Sequence, residues 1–325
     1  MQWFEKILID EWKEKLSYET QVMAIGSCFT EHVGQRLSKR KFDTFVNPFG
    51  ITFNPISTFR QLNRSIHERK FQKSELFENE GWFHHFDAHG SYSGEDFKSV
   101  LNRLNDQMAR AHEMLKTAHF ILITFGTAWV YEHKGTVVSN CHKVDQSEFK
   151  HRLLTPEEII EMGKEVLFQI KKVNPNLIPV FTVSPVKYQR EGFSENHISK
   201  GRLIDAAFHL AHVSGGIYFP SYELLTDGLR DYRFYDKSRT HPSEEAIDYI
   251  WEQFKGVALD ESAIITMSEI EKVQRSVQHR PLHAGTEKHW SFIQKTLSEI
   301  DSLENKLKLD FSEEKSQLLQ STKSE

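Results

Sequence analysis

The sequence predicts an α/β fold: a parallel sheet covered by helices on both faces, followed by a helical extension. Three observations carry this expectation. Short runs rich in β-branched and aromatic residues end at small residues or proline, as buried parallel strands do. Helical periodicity fills the gaps between them, and strands alternating with helices imply a parallel sheet. Beyond about residue 257 glycine, proline and strand-like runs thin out, and Leu297, Ile300, Leu303 and Leu307 recur at helical spacing among charges.

In chain order, the first strand is Val22–Ile25, ending at Gly26-Ser27, and a helical pattern through Glu31, Val33 and Leu37 follows it. Gly81–Tyr92 reads as an exposed aromatic hairpin, and Phe120–Phe125 is the next core strand. Thr155-Pro156-Glu157-Glu158 opens a helix with an N-cap, a proline at the first helical position and acids that suit the positive helix end. That helix carries Ile159, Ile160, Met162, Val166, Leu167 and Ile170 and ends near Asn174-Pro175. Leu177–Val183 and Ile217–Phe219 are the remaining strands. Ser199–Val213 and Ser243–Phe254 are the remaining core helices, the second with Ile247, Ile250, Trp251 and Phe254 on one face. The core is thus expected over residues 1–256 and the helical extension over 257–325, with the stretch from Ser312 to Glu325 frayed.

Composition excludes several classes of function. The 325 residues hold 41 Lys and Arg against 46 Asp and Glu, a formal charge of −5, which argues against work on a nucleic-acid backbone or an anionic membrane. Hydrophobic residues at 38% are few for a globular chain, yet 24 Phe point to an aromatic-rich core diluted by a polar segment. Two cysteines, Cys28 and Cys141, exclude a disulfide framework and a cysteine-based zinc finger. The charged N-terminal stretch lacks the apolar centre of a signal peptide, and no run approaches the roughly 20 apolar residues of a spanning helix. The expectation is a soluble, cytoplasmic protein.

No Walker A loop, GxGxxG, HExxH or GxSxG is present. Chemistry is therefore sought at strand ends, where open α/β sheets place their sites. At the end of the first strand, Gly26-Ser27-Cys28-Phe29 turns into a helix. A serine there stands at a helix N-terminus, where free N–H groups and the dipole favour developing negative charge, although Ser27 also suits a plain N-cap. Far downstream, His241 lies on a loop just before the helix capped by Ser243. With an unperturbed pKa of about 6.5 it is a natural base for a serine hydroxyl, or simply one surface histidine among 17.

Taken together, these residues resemble the GSCFA family, whose name-giving pentapeptide begins here as Gly26-Ser27-Cys28-Phe29, with Thr30 in place of the final Ala. The resemblance runs from about residue 20 to 256. It includes Asn47-Pro48-Phe49-Gly50-Ile51, Gly126-Thr127-Ala128-Trp129, Asn140-Cys141-His142-Lys143, Ser184-Pro185-Val186, Ser199-Lys200, Phe219-Pro220-Ser221-Tyr222-Glu223, the run Leu229–Tyr235, and His241-Pro242-Ser243. The family looks like a branch of the SGNH (GDSL-type) hydrolases, which implies a flavodoxin-like three-layer α/β/α sandwich. It also implies Ser27 as nucleophile, His241 as base, and an oxyanion hole from the Ser27 N–H, a glycine matching Gly50 and an asparagine. Two departures stand out. Ser238, not Asp, lies three before His241, leaving Asp236 or Asp231 to orient the imidazole. Ala128 stands where the oxyanion asparagine belongs, so Asn140 must fill in through a hairpin, with Thr127 as the other donor within reach. Loss of one such donor costs about 10²–10³ in turnover.

Around this centre, Asn47, Thr127, His142, Lys143 and His89 are expected to line the substrate. Cys28 reads as a small buried neighbour of Ser27 rather than a nucleophile, and Cys141 as a packing residue. Taken as a strand, His85, Asp87 and His89 share a face that suits a metal, although the resemblance implies neither metal nor cofactor. Lys187, Arg190 and Lys200 either meet an anionic substrate or form a solvated surface. Trp82, Trp129, Tyr131 and Tyr222 either stack on sugar rings or build core. The resulting expectation is a serine esterase or acyltransferase acting on a small-molecule or carbohydrate ester. The alternative is a non-catalytic glycan- or acyl-binding protein whose C-terminal helix recruits a partner.

Overall fold

The computed structural model describes residues 6–279 and 286–320. A five-stranded sheet is built from β1 (Gln21–Gly26), β2 (Asp43–Val46), β5 (Phe120–Phe125), β9 (Ile178–Val183) and β10 (Ile217–Phe219), in the order β10-β9-β5-β1-β2. Every pairing is parallel, with Gly26 opposite Thr124 and Thr124 opposite Thr182. Relabelled in chain order this is 2-1-3-4-5, the flavodoxin-like arrangement, and its switch point lies between β1 and β5.

The strands alternate between two buried faces. Met23, Ile25, Ile121, Ile123 and Phe125 pack into one apolar cluster with α2 (Pro55–Ile66), α3 (Phe97–Thr117), α4 (Pro156–Val173) and α5 (Phe193–Ser214). Val22, Ala24, Phe120 and Leu122 pack into the other with α1 (Cys28–Lys39), α7 (Glu244–Ala258) and the irregular segment carrying Trp12 and Leu16. Burial on both faces is why four of these strands read as continuous apolar runs. β2 escapes that reading because it is a four-residue edge strand beginning Asp43-Thr44.

The helix starts follow local chemistry. Thr155 and Glu158 form a reciprocal capping box at the head of α4, and the Ser243 hydroxyl accepts from the Ala246 N–H to cap α7. α5 begins at Phe193, six residues earlier than its periodicity suggests, because its buried face includes Asn196, Ser199 and Lys200 and so blurs the apolar pattern. The hairpin is β3 (Phe77–Asn79) with β4 (Trp82–His84), turning at Glu80 and Gly81, both with positive φ; residues 85–92 are not part of it. A three-stranded antiparallel sheet of β6 (Trp129–His133), β7 (Thr136–Val138) and β8 (Phe149–Leu153) lies beyond β5.

The extension comprises α8 (Glu261–Gln278), α9 (Glu287–Leu307) and α10 (Ser312–Gln320), which share a cluster of Ile270, Val273, Ile293, Ile300, Phe311 and Leu318. The expected fraying is corrected over residues 312–320, where Leu318 and Glu314 are buried; residues 321–325 lie outside the described residues. Glu314 pairs with Lys41 at 2.8 Å and Glu271 with Arg40 at 2.6 Å, tying α10 and α8 to the end of α1 and the turn after it. Among the described residues, no helix is long and apolar enough to cross a membrane.

Candidate active site

β1 ends in a turn that demands glycine. Gly26 has φ +137°, and a Cβ there would lie 2.2 Å from the Thr124 carbonyl oxygen. Asn47 Oδ1 accepts the Gly26 N–H at 2.9 Å, and the Gly26 carbonyl accepts from Thr52 N–H at 3.0 Å. Ser27 follows as the N-cap of α1, fully buried, yet its hydroxyl makes no capping bond and has no hydrogen-bond partner. A buried orphan hydroxyl is uncommon and calls for an explanation. The side chain is therefore not the ordinary cap that the sequence also allowed. Cys28, the first residue of α1, is only part-buried, and burial pushes its thiol up.

The oxyanion candidates have other acceptors in this arrangement. Ser27 N–H donates to Thr124 O at 3.1 Å, and Gly50 N–H to Asn47 O at 2.8 Å. Ala128 is fully buried and supplies no side-chain donor, while Thr127 Oγ1 bonds Ser199 Oγ at 3.2 Å. The β6–β7 hairpin does fold back: Ser139 Oγ reaches Thr52 Oγ1 at 3.3 Å, and Asn140 Oδ1 accepts from His142 N–H. Asn140, His142 and Lys143 line a cavity of about 370 Å³ together with Asn79, Trp82 and His84, and Ser27 is not among its walls. His142 and Lys143 both adopt left-handed backbone, at φ 48° and 59°. His89 N–H donates to Phe49 O at 2.9 Å, and its side chain leaves no room for a Cβ at Gly50.

His241 is exposed. Its Nδ1 contacts Thr240 Oγ1 at 3.0 Å and Ser238 Oγ at 3.4 Å, and Asp236 accepts from Ser238 rather than from the imidazole. Hydrogen bonding from Ser238 holds the Asp236 carboxyl below its usual range. Asp231 instead accepts from Arg233 N–H as the cap of a short 3₁₀ turn. The loop is latched to the segment after β9: Lys187 N–H donates to Thr240 O at 2.9 Å, and Lys187 Nζ sits 3.7 Å from the Tyr235 ring centre.

Sequence reasoning missed the role of Lys200, which is 1% exposed and so cannot belong to a solvated surface. It lies in α5 and donates to the carbonyls of Gly126 at 2.8 Å and Ser184 at 2.7 Å, the residues that leave β5 and β9. Burial pulls its pKa down to about 7. Tyr188, part-buried beside it, has a buried hydroxyl without a partner. The only sequence signal was the Ser199-Lys200 pair itself.

The metal alternative is corrected. Residues 85–89 are not extended strand, Asp87 pairs with Arg60, and His85 Nδ1 accepts the Asp87 N–H at 2.9 Å. Among the described residues no group of three metal-binding side chains assembles. Arg190 stays at the surface on Gln146, whereas Trp129 and Tyr131 stack on His151 and Tyr222 is core.

A search of curated proteins finds no match. Among solved structures, the chain is similar to the crystal structure of a carbohydrate esterase family 3 from Talaromyces cellulolyticus, at 9% identity over 77% of this chain and 99% of that one, with a TM-score of 0.33. The sequence model of the GSCFA family matches residues 21–254, and that of the GSCFA domain protein C-terminal domain matches residues 270–324. The glycine-constrained Gly26-Ser27-Cys28-Phe29 turn at the sheet's switch point is therefore the family's name-giving segment, and the chain belongs to the GSCFA family.

Proposed function

We propose that this protein is an SGNH-type serine esterase or acyltransferase that acts on an O-acylated small molecule or carbohydrate. The observation that carries the reading is the Ser27 hydroxyl: buried, without a partner, at the N-terminus of α1 and at the switch point of the sheet. Ser27 Oγ bonds the ester carbonyl carbon, the alcohol leaves, and water then releases the acyl group, or a second hydroxyl accepts it. His241 handles protons in this cycle. Asp236 orients it through the Ser238 hydroxyl, a longer chain than a direct carboxylate–imidazole bond. Ser27 N–H, Gly50 N–H and Asn140 hold the oxyanion once the first two exchange their present acceptors.

A second reading, a non-catalytic ligand-binding module, is favoured by those same committed donors and by the exposed His241. p-Nitrophenyl acetate turnover by wild type and by Ser27→Ala separates the two. Hydrolysis that disappears in Ser27→Ala supports the serine enzyme; equal or absent turnover in both proteins supports the binding module.

A further inference from the structure

A buried titratable side chain, Lys200, lies at the strand ends beside the Ser27–Cys28 turn. Ser27 leaves β1 opposite the end of β5, where Gly26 pairs with Thr124, and adjacent strands lie about 4.8 Å apart. Lys200 Nζ is bound to Gly126 O, just beyond that same strand end. Among the described residues no carboxylate pairs with it. The ionisable groups facing it are Cys28 of α1, Tyr188 of the segment after β9, and Tyr222 of the short helix Ser221–Glu223.

Its two acceptors are those a neutral amine can satisfy in full. A neutral amine has two N–H donors and one lone pair; the carbonyls of Gly126 and Ser184 take both donors and leave the lone pair unoccupied. An ammonium would carry a third N–H and a full charge into a site enclosed by phenol rings and strand ends, with no counter-charge. The drop of its pKa to about 7 follows from this surrounding. A buried lysine of that kind is suited to act as a general base.

We propose that Lys200 is the proton acceptor for Ser27, an assignment that rests on the serine-enzyme reading above and divides its proton transfers between two residues. As the Ser27 Oγ–carbon bond forms, the hydroxyl proton passes to the Lys200 lone pair. The ester C–O bond breaks, and the departing alkoxide takes its proton from the His241 imidazolium at the outer side. In the second half, neutral His241 takes a proton from the attacking water, the Ser27–acyl bond breaks, and the Lys200 ammonium returns its proton to Oγ. Each residue ends as it began.

The test is covalent labelling of Ser27 by a fluorophosphonate, followed by mass spectrometry across pH 5–9. Fluoride leaves without needing a proton, so the reagent isolates the first transfer. Wild type is expected to label at Ser27 with a rate that rises through about pH 7. His241→Ala, an exposed substitution, is expected to keep that rise even where its rate falls. Lys200→Met is expected to slow labelling about 10²-fold. Lys200→Gln keeps an uncharged pair of N–H donors but has no basic lone pair, and is expected to fail likewise while melting near the wild-type temperature. Normal labelling in either lysine variant, or loss of the pH 7 rise in His241→Ala, overturns the assignment and leaves Ser27 as nucleophile. If wild type does not label at Ser27, the serine-enzyme reading falls and the lysine assignment falls with it.

Discussion

Acid is expected to destabilise the loop beside the 370 Å³ cavity, and two histidines set the size of the effect. His85 and His142 are buried, and desolvation pulls each pKa from 6.5 to about 4. His142 Nε2 donates to His85 O at 2.9 Å, and His85 Nδ1 accepts the Asp87 N–H at 2.9 Å. Protonating His85 would set an N–H against that amide N–H. The unfolded chain takes up protons as pH falls through 6.5, while the folded chain does not until about pH 4, so stability is lost across that window. Between pH 7 and pH 5 each histidine removes about 2 kcal/mol, and the pair at most about 4 kcal/mol, since adjacent charges do not add independently. For a chain of this size that corresponds to a melting temperature lower by at most ~6 °C. Thermal denaturation followed by circular dichroism at pH 7 and pH 5 measures it. In the double variant His85→Gln, His142→Gln the difference should shrink to a small fraction. An equal drop in wild type and double variant, or a titration of both imidazoles near pH 6.5 by NMR, would refute the reasoning.

Three other outcomes follow from single contacts. Gly26→Ala forces a Cβ to 2.2 Å from Thr124 O in a backbone conformation alanine avoids, and should cost about 3 kcal/mol or more; an unchanged melting temperature would show that the turn relaxes freely. Ser238→Asp puts a carboxylate three residues before His241, in place of the hydroxyl that now contacts Nδ1, and should raise esterase turnover about tenfold at low ionic strength. No gain, with folding intact, would mean that orientation of His241 does not limit the rate. Phe311→Ala empties the centre of the α8–α10 cluster, where Phe311 is fully buried, and should cost about 3–5 kcal/mol there. Limited trypsin digestion should then cut the C-terminal region while the sheet core survives, and cleavage at the wild-type rate would count against that packing.

The legible parts of the fold were those with a local cause. Val22–Ile25 and Phe120–Phe125 read as strands because both of their faces are buried, and α4 and α7 announce their starts through Thr155 and Ser243. The helix Ser312–Gln320 was not legible: its short pattern, with one glutamate buried on Lys41, resembles a solvated tail until α8 and α9 are in place. Whether His85, Asp87 and His89 share a face was likewise not legible, since alternation means a shared face only when the segment is extended.

The sequence by itself determined the α/β alternation, the Gly26-Ser27 turn and the family, because turn chemistry, strand burial and family motifs are written in neighbouring residues. Tertiary structure alone decided which polar groups are buried and which are exposed. It buried Lys200 between the ends of β5 and β9, left the Ser27 hydroxyl without a partner, and kept His241 at the surface. The reason is desolvation. A lysine on an isolated helix carries an ordinary solvated charge; its chemistry changes only when segments distant in the chain displace the water around it.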